Sequence, residues 1–201
     1  MNLITRAKGI ITAPAREWEV INTETPDTNK IITGYVIPLA AAAAIAAFIG
    51  YALVGASFFG YRARGINWGL YQALTVFLSA LLSVFVTAKV VDALAHNFDS
   101  EKNFGRSLQL VAYSFTPAWI GGLLAIIPAL SFLGALFGIY GLYLLYIGLP
   151  RLKHTPADKQ MGYFLVTILV TIVVYMVIGW ILTSLLMNLF GLSYGMGAWS
   201  V

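Results

Sequence analysis

SLQLVAYSFTPAWIGGLLAIIPALSFLGALFGIYGLYLLYIGL, residues 107–149, runs for 43 residues without a charged side chain. A hydrocarbon core of about 30 Å is crossed by roughly 20 apolar helical residues, so this stretch is too long for one membrane span and right for two. We place the break at residues 128–131, because Pro128 disfavours helix at the residue before it. The stretch therefore predicts two membrane helices, over about 107–127 and 131–149.

Three further apolar stretches are long enough to cross a membrane, over about 31–59, 68–95 and 161–189. The chain is 60% hydrophobic and only 10% charged, whereas a soluble domain carries about 25% charged residues. These observations predict an all-α polytopic membrane protein, a bundle of five transmembrane helices. We divide it into a cytoplasmic N-terminal interfacial segment (1–30), a transmembrane domain (31–189) and an extracytoplasmic tail (190–201).

Lysine and arginine are unevenly distributed between the two sides of this arrangement. The side that holds the N-terminus carries ten of the 12, and the other side carries only Arg62 and Arg64. Cytoplasmic loops of membrane proteins are enriched in both residue types, and the rule counts these residues rather than net charge. We therefore expect the N-terminus in the cytoplasm and the C-terminal tail outside.

The N-terminal segment predicts a short amphipathic helix at the membrane interface. One helical face collects the apolar residues Leu3, Ile4, Ala7, Ile10 and Ile11. Arg6 and Lys8 lie on the opposite face, and Pro14 begins a second short helix with Trp18 and Ile21 on one side. Two interpretations are open: a helix that binds a partner or senses lipid, and a plain interfacial anchor with Trp18 among the lipid headgroups. We favour the anchor.

Small residues in two neighbouring spans predict close helix packing. The fourth span presents Gly134, Gly138, Gly141 and Gly148 on roughly one face, and the third span offers Ala118 and Gly122. A short turn joins these spans, so we expect them to form a tight helical hairpin. The same faces are suited to self-association, but packing within the chain is favoured because a five-helix bundle needs several such faces.

Two further features bear on a polar path through the membrane. The fifth span carries Thr167, Thr171, Tyr175, Gly179 and Thr183 at four-residue spacing. This stripe drifts by about 40° per step around a helix of 3.6 residues per turn, so we interpret it as packing. In the third span, Pro117 frees the carbonyl of Tyr113 from its helical bond and predicts a kink.

Ionisable side chains cluster at the end of the second span. The spacing of Lys89, Asp92, His96 and Asp99 places them along one helical face. Asp92, His96 and Asp99 are ligand types that suit a divalent metal, and Asp92 with His96 is suited to relaying a proton. The alternative is that Lys89, already at the interface, extends towards the headgroups beside an Asp92 partner. We favour this alternative.

The remaining composition excludes several classes of function. Cysteine is absent, so thiolate metal sites and disulfides are excluded. Histidine occurs only twice. No hydrolase, kinase or nucleotide motif occurs, and spans one, three, four and five contain no acidic residue within the membrane. We therefore expect no catalytic residue, no enzyme activity and no cofactor. Without a basic run, nucleic-acid binding has no support.

Three motifs in this order resemble the bacterial branch of the YIP family, the Ypt- and Rab-interacting five-span membrane proteins. The first is Pro14-x-x-x-Trp18-x-x-Ile21 before the first span. The second is the block Phe104-Gly105-Arg106-Ser107, followed by Ala112-Tyr113-Ser114-Phe115-Thr116-Pro117. The third is the aromatic and glycine-rich run from Ile139 to Leu149. The resemblance covers nearly the whole chain, and within it Pro14, Trp18, Tyr113, Ser114 and Pro117 carry the family motif.

The resemblance implies a five-span fold in the bacterial inner membrane with a cytoplasmic N-terminus. Eukaryotic relatives act in vesicle trafficking and bind small GTPases and one another. This sequence departs from their Asp-Leu-Tyr-Gly-Pro motif, since the corresponding region reads Thr33-Gly34-Tyr35-Val36-Ile37-Pro38. GTPase binding is therefore not carried over to this chain.

Two functions remain open from the sequence. The favoured one is a non-enzymatic scaffold whose partners are the lipid bilayer and a homo-oligomer or other membrane proteins, reached through its helix faces and its cytoplasmic side. The alternative is a small transporter or channel for an ion or metal, which uses the polar cluster at the cytoplasmic end of the second span.

Overall fold

The computed structural model describes residues 2–58 and 61–192. Its α-helices are α1 (Leu3–Thr12), α2 (Pro14–Thr23), α3 (Thr28–Ile31), α4 (Ile37–Ile49), α5 (Ile66–Leu94), α6 (Phe104–Ser114), α7 (Thr116–Gly122), α8 (Leu133–Lys153) and α9 (Ala157–Leu189). Wider π turns lie before and after α4 (Ile32–Val36 and Gly50–Val54), and tighter 3₁₀ turns follow α5 and α7 and precede α8 (Ala95–Phe98, Leu123–Ile126 and Pro128–Leu130). Two short strands, β1 (Ala56–Phe58) and β2 (Tyr61–Ala63), pair antiparallel to each other.

These elements join into helices that are long and apolar enough to cross a membrane. The five spans are Thr28–Val54, Ile66–Phe98, Phe104–Ile126, Pro128–Lys153 and Ala157–Leu189. The predicted fold class is therefore confirmed: the chain is an all-α integral membrane protein. Helices are required there because hydrocarbon offers no partner for backbone N–H and C=O groups.

The first span ends earlier than its hydropathy suggested. It stops at Val54 rather than near Phe59, because Gly55 adopts a φ of 81° that ends the helix. Strand β1 begins directly after Gly55, at Ala56. Phe59 itself and residues 193–201 of the predicted tail lie outside the described residues.

Two prolines interrupt the helices at the positions that the sequence predicted. Pro128 lies at the boundary between the third and fourth spans, and Pro117 lies within the third span. Ile127, the residue before Pro128, is extended with φ −115° and ψ 97°, and it separates the two spans. Within the third span, α6 ends at Ser114 and α7 begins at Thr116, with Pro117 in its first turn. The predicted kink is therefore a break at Phe115.

The second span lies at the centre of the bundle, packed against the first, third and fifth spans. The fifth span runs antiparallel to it. Tyr163 Oη donates to the carbonyl of Val91, and Tyr71 Oη donates to Thr183 Oγ1 at 3.4 Å. Only 11% of the most apolar window of the fifth span is buried, so this helix lies at the edge of the bundle.

The two N-terminal helices dock against the spans, and the interpretation of a plain interfacial anchor is wrong. Trp18 is fully buried inside the protein instead of lying among headgroups, and Arg6, predicted on the polar face, is only 5% exposed. Tyr140 Oη donates to the carbonyl of Ile11 at 2.7 Å. At 1.5 Å per residue, Tyr140 lies about 20 Å along the helix from Lys153, so α1 lies beside the middle of the spans.

The glycines predicted to pack have different surroundings. A Cβ added to Gly141 would lie 2.7 Å from the Ser114 carbonyl oxygen, and one added to Gly134 would lie 3.3 Å from that of Gly121. Gly148 faces Leu110 and Trp18, whereas Gly122 faces Ala43 of the first span. Gly138 has nothing within 4 Å, so its assignment to a packing face is wrong. Ala118 is half buried.

Substituting Gly141 and Gly138 by alanine should have opposite effects on stability. Gly141→Ala places a Cβ against backbone that cannot move aside, and overpacking of this kind costs about 1–3 kcal/mol. Gly138→Ala meets no neighbour and should gain up to about 1 kcal/mol from helix propensity. Thermal unfolding of both variants in detergent measures the difference. Equal melting temperatures would contradict this packing of the third and fourth spans.

Candidate functional site

A buried ion cluster joins the two N-terminal helices, α1 and α2, which we call the N-terminal hairpin. Arg6 Nη1 lies 2.5 Å from Glu17 Oε1, and Arg6 Nη2 pairs with Glu24 Oε1. The guanidinium also lies over the ring of Tyr113, 5.4 Å from its centroid. Two carboxylates and an aromatic ring offset the cost of burying this guanidinium, so the cluster holds α1 against α2 in one arrangement.

Aromatic side chains form the floor on which the N-terminal hairpin sits. Trp18 and Tyr113 have ring centroids 6.3 Å apart, and Tyr35 meets Tyr113 edge-on at 4.9 Å. Tyr35 Oη and Thr116 Oγ1 share a hydrogen bond of 2.7 Å. The structure thus brings together Trp18 and Tyr113, motif residues that lie far apart in sequence.

The other motif residues contribute to the same region in different ways. Pro14 begins α2, and Pro117 is buried in the first turn of α7. Ser114 is fully buried, and its hydroxyl has no hydrogen-bond partner among the described residues. The break at Phe115 therefore sets the shape of the floor, because it separates the helix that carries Tyr113 from the helix that carries Thr116.

The far end of the N-terminal hairpin is held by Arg106, a residue whose role sequence reasoning missed. Arg106 donates from Nη1 to the carbonyl of Ile21 at 3.1 Å and from Nη2 to that of Asn22 at 2.9 Å. These carbonyls belong to the last turn of α2, where backbone acceptors lack helical partners. The only signal in the sequence was the Phe-Gly-Arg-Ser motif, which contains Arg106 but does not indicate what its side chain binds.

A second buried cation lies at the ends of the second, third and fourth spans. Lys153 is fully buried and donates from Nζ to Ser107 Oγ at 2.8 Å, to the Asn103 carbonyl at 3.3 Å and to Asp92 Oδ1 at 3.5 Å. We call Asp92, Asn103, Ser107 and Lys153 the basal cluster. The predicted Lys89–Asp92 pair is wrong, since Lys89 instead lies over the rings of Phe85 and Phe104.

The structure does not bring Asp92, His96 and Asp99 together as a metal site. The α-helix ends at Leu94 and tightens into a 3₁₀ turn, and Asp99 adopts a positive φ of 49°, so a single helical face does not continue through them. Asp92 pairs with Lys153, Asp99 pairs with Lys159, and His96 is exposed. In residues 2–58 and 61–192, no group of three or more His, Cys, Asp or Glu side chains could hold a metal ion.

The two loops beside the basal cluster are tied to each other. Ser100 Oγ donates to Thr155 Oγ1 at 2.9 Å, and Glu101 lies 2.9 Å from His154 Nδ1. Burial raises the pKa of Glu101, but hydrogen bonds from Asn103 and His154 outweigh that effect and lower the pKa overall. The stabilisation from this carboxylate is therefore present above its unfolded-state pKa and is lost as pH falls through the lowered value.

A cavity of about 190 Å³ with several charged side chains in its lining opens where the chain passes from α2 into the first span. We call it the linker cavity. Its lining consists of Glu24, Thr25, Asp27, Lys30, Ile31, Thr33, Gly34, Gln109 and Tyr113. The pKa of Asp27 lies below its usual value, chiefly because the backbone N–H of Lys30 donates to its carboxylate, so Asp27 is charged at neutral pH.

Comparison with known proteins gives a consistent family relationship. A model of the Yip1 domain matches residues 8–181. The inner membrane protein YohC of Escherichia coli strain K12 is 30% identical over 161 residues, which cover 77% of this chain and 82% of that protein. The protein of the same name from E. coli O6:H1 matches to the same extent. No solved structure gives a significant match.

Removal of Lys153 should destabilise the protein far more than removal of a neighbouring exposed lysine. Lys153→Ala leaves Asp92 partly buried without its cation, and breaking a buried pair costs about 3–5 kcal/mol. Lys159→Ala removes an exposed pair with Asp99, which is worth about 1 kcal/mol or less. Chemical unfolding of both variants in detergent measures the contrast. Similar losses would show that the basal cluster contributes no more than a surface ion pair.

Proposed function

The chain belongs to the Yip1 domain family, and from that premise we propose that it is a non-enzymatic scaffold of the bacterial inner membrane. The name of the YohC relative supports this membrane, and the excess of Lys and Arg on the N-terminal side supports a cytoplasmic N-terminus. In this proposal the N-terminal hairpin is the recognition element, and it binds other membrane proteins or a second copy of the chain.

The buried ion cluster of the N-terminal hairpin is the observation that carries the proposal. Burying a guanidinium costs several kcal/mol unless its partners compensate, and Arg6 has two carboxylates and an aromatic face. Arg106, Tyr140 and Trp18 fix the same hairpin at three other points. A segment held at so many points presents a surface of constant shape, which is what a binding platform requires.

The exposed face of α2 is the surface that we assign to the partner. Arg16, Glu19, Val20 and Thr23 are exposed along one side of this helix. The face carries both charge signs around Val20, which is 43% exposed. An exposed apolar side chain rimmed by charges is typical of a modest protein interface.

The fifth span offers a second surface for association within the membrane. Its outer face exposes Leu169, Met176 and Trp180 at 64%, 61% and 74%. Lipid satisfies such a face, and so does a transmembrane helix of another protein. Because only one side of this span packs on the bundle, it supports lateral contacts without disturbing the core.

One observation favours the alternative, a small transporter. Thr87 and Thr167 are buried within the membrane, and their hydroxyls have no hydrogen-bond partner among the described residues. The bonds Tyr163–Val91 and Tyr71–Thr183 set an antiparallel register that places Thr87 opposite Thr167. A polar seam between the second and fifth spans is the route that a transported ion would need.

Site-specific photocrosslinking in native membranes tests the scaffold. A photoreactive residue at Val20 should give discrete protein adducts, because this position faces the proposed partner, whereas one at Ile45, 60% exposed on the first span, should give far fewer. Arg6→Ala should reduce the Val20 adducts at least about fivefold, since it leaves Glu17 and Glu24 without their cation and releases the hairpin.

Lys8→Ala is the matched control for this experiment. It removes a positive charge from the exposed side of α1, the helix that carries Arg6, and leaves the ion cluster intact. Its adducts should equal those of the unmodified chain. Lipid adducts alone at Val20, or protein adducts that persist in Arg6→Ala, would contradict the hairpin as recognition element.

Ion flux into proteoliposomes tests the alternative. If the seam conducts, Thr87→Val and Thr167→Val should abolish flux while keeping the volume of the side chains, because they remove the hydroxyls that would replace hydration. Thr75→Val is the control, since its hydroxyl already donates to the Tyr71 carbonyl. Flux that is absent, or equal in all four proteins, would exclude this seam as a transport route.

A further inference from the structure

The linker cavity lies at the level where lipid headgroups meet the protein. Its lining includes Lys30, Ile31, Thr33 and Gly34, which form the beginning of the first span, and the first span starts at Thr28. Gln109, from the third span, lies one turn beyond Arg106 at the start of that helix. The cavity therefore opens at the charge-rich end of the bundle, between water and hydrocarbon.

The charged groups of the linker cavity have both signs. Glu24 and Asp27 contribute carboxylates, and their side chains are 37% and 46% exposed. Lys30 contributes an ammonium group, 80% exposed, whose Nζ lies 3.5 Å from Asp27 Oδ2. Glu24 is also paired with Arg6, so positive and negative charges around the cavity are close to balance, and a ligand that carries both signs matches them better than a purely anionic one.

Gln109 provides a neutral donor at the back of the linker cavity. The residue is only 2% exposed, and its Oε1 accepts from Arg106 Nη1 at 3.1 Å. That bond leaves the amide nitrogen as a donor without a hydrogen-bond partner within the described residues, although Gln109 lines the cavity. A donor that reaches the cavity without a protein partner is available to a polar group bound there.

The linker cavity is large enough for a lipid headgroup. Its volume of about 190 Å³ is more than ten times the roughly 15 Å³ that holds one water molecule. A Cβ added to Gly34 would have nothing within 4 Å, which shows that the space continues to the backbone of the first span.

We propose that the linker cavity binds the headgroup of a phospholipid that carries both a phosphate and a primary ammonium. The ammonium lies between the carboxylates of Glu24 and Asp27, and the phosphate pairs with Lys30 and accepts from the Gln109 amide. The acyl chains leave past Ile31 along the first span. This site is separate from the exposed face of α2, so it stands or falls independently of the scaffold proposal.

The position of Arg106 connects this site to the N-terminal hairpin. Its Nη1 donates both to Gln109 Oε1 and to the carbonyl of Ile21 in the last turn of α2. Glu24, in the lining, is also a partner of Arg6. A headgroup in the cavity therefore contacts groups that hold the hairpin, and it stabilises the docked hairpin by binding only that arrangement.

Native mass spectrometry of the full chain in detergent, titrated with defined lipids, tests the proposal. Phosphatidylethanolamine should bind at least about tenfold more tightly than phosphatidylcholine, because the methylated nitrogen of phosphatidylcholine donates no hydrogen bond. It should exceed phosphatidylglycerol by the same factor, because phosphatidylglycerol has no ammonium group. A tenfold difference in affinity corresponds to about 1.4 kcal/mol. Equal affinities, or a preference for phosphatidylglycerol, would overturn the assignment.

Two variants and a matched control locate the binding. Gly34→Leu fills the linker cavity and should remove the preference, whereas Gly138→Leu, also in open space, should keep it. Asp27→Asn keeps the side-chain cap on the Lys30 amide but removes the charge, and should weaken phosphatidylethanolamine binding about fivefold or more. Thermal melting checks that each variant is folded, and an unchanged preference in either folded variant would sink the proposed site.

Soluble phosphoethanolamine distinguishes a lipid from a free small molecule. It carries the same charged groups without acyl chains, so at equal concentration it should compete at least about tenfold more weakly than the lipid, by the loss of apolar contacts. Competition as strong as that of the lipid would assign the cavity to a soluble ligand and overturn the lipid assignment.

Discussion

Hydrocarbon supplies no hydrogen bonds, so a charged side chain that this protein buries has to find its partners within the protein. The two buried cations show what this demands. Arg6 lies between two carboxylates and above an aromatic ring, and Lys153 lies among a carboxylate, a hydroxyl and a carbonyl. Each set of partners comes from separate segments of the chain, so satisfying one charge fixes the relative position of several helices.

The two cations constrain different levels of the bundle. The basal cluster joins the ends of the second, third and fourth spans, whereas the N-terminal hairpin packs further along the third and fourth spans. The fifth span, in contrast, is held along one side and exposes most of its apolar surface.

Arg106 connects the features that we consider functional. It donates to the end of α2 and to Gln109, so the hairpin and the linker cavity share one guanidinium. The family motif in which Arg106 stands thus has a local physical meaning: its arginine provides hydrogen bonds for backbone carbonyls that helix geometry leaves unpaired. Pro117 acts on the same region by breaking the third span at Phe115 and separating Tyr113 from Thr116.

The sequence by itself determined that lipid surrounds most of the chain, how many spans cross it and where the break at Ile127 falls. Hydropathy, length and proline stereochemistry act locally, so they can be read without the tertiary structure. It also determined that two short helices precede the first span. Only the tertiary structure decided which faces of those helices are buried: Arg6 turns inward because Glu17 and Glu24 meet it there, and a helical projection of α1 alone contains neither carboxylate. For the same reason Lys153, rather than Lys89, is the partner of Asp92, since the choice depends on how three spans converge. The end of the first span shows the same limit, because hydropathy continues past Gly55 while its positive φ ends the helix.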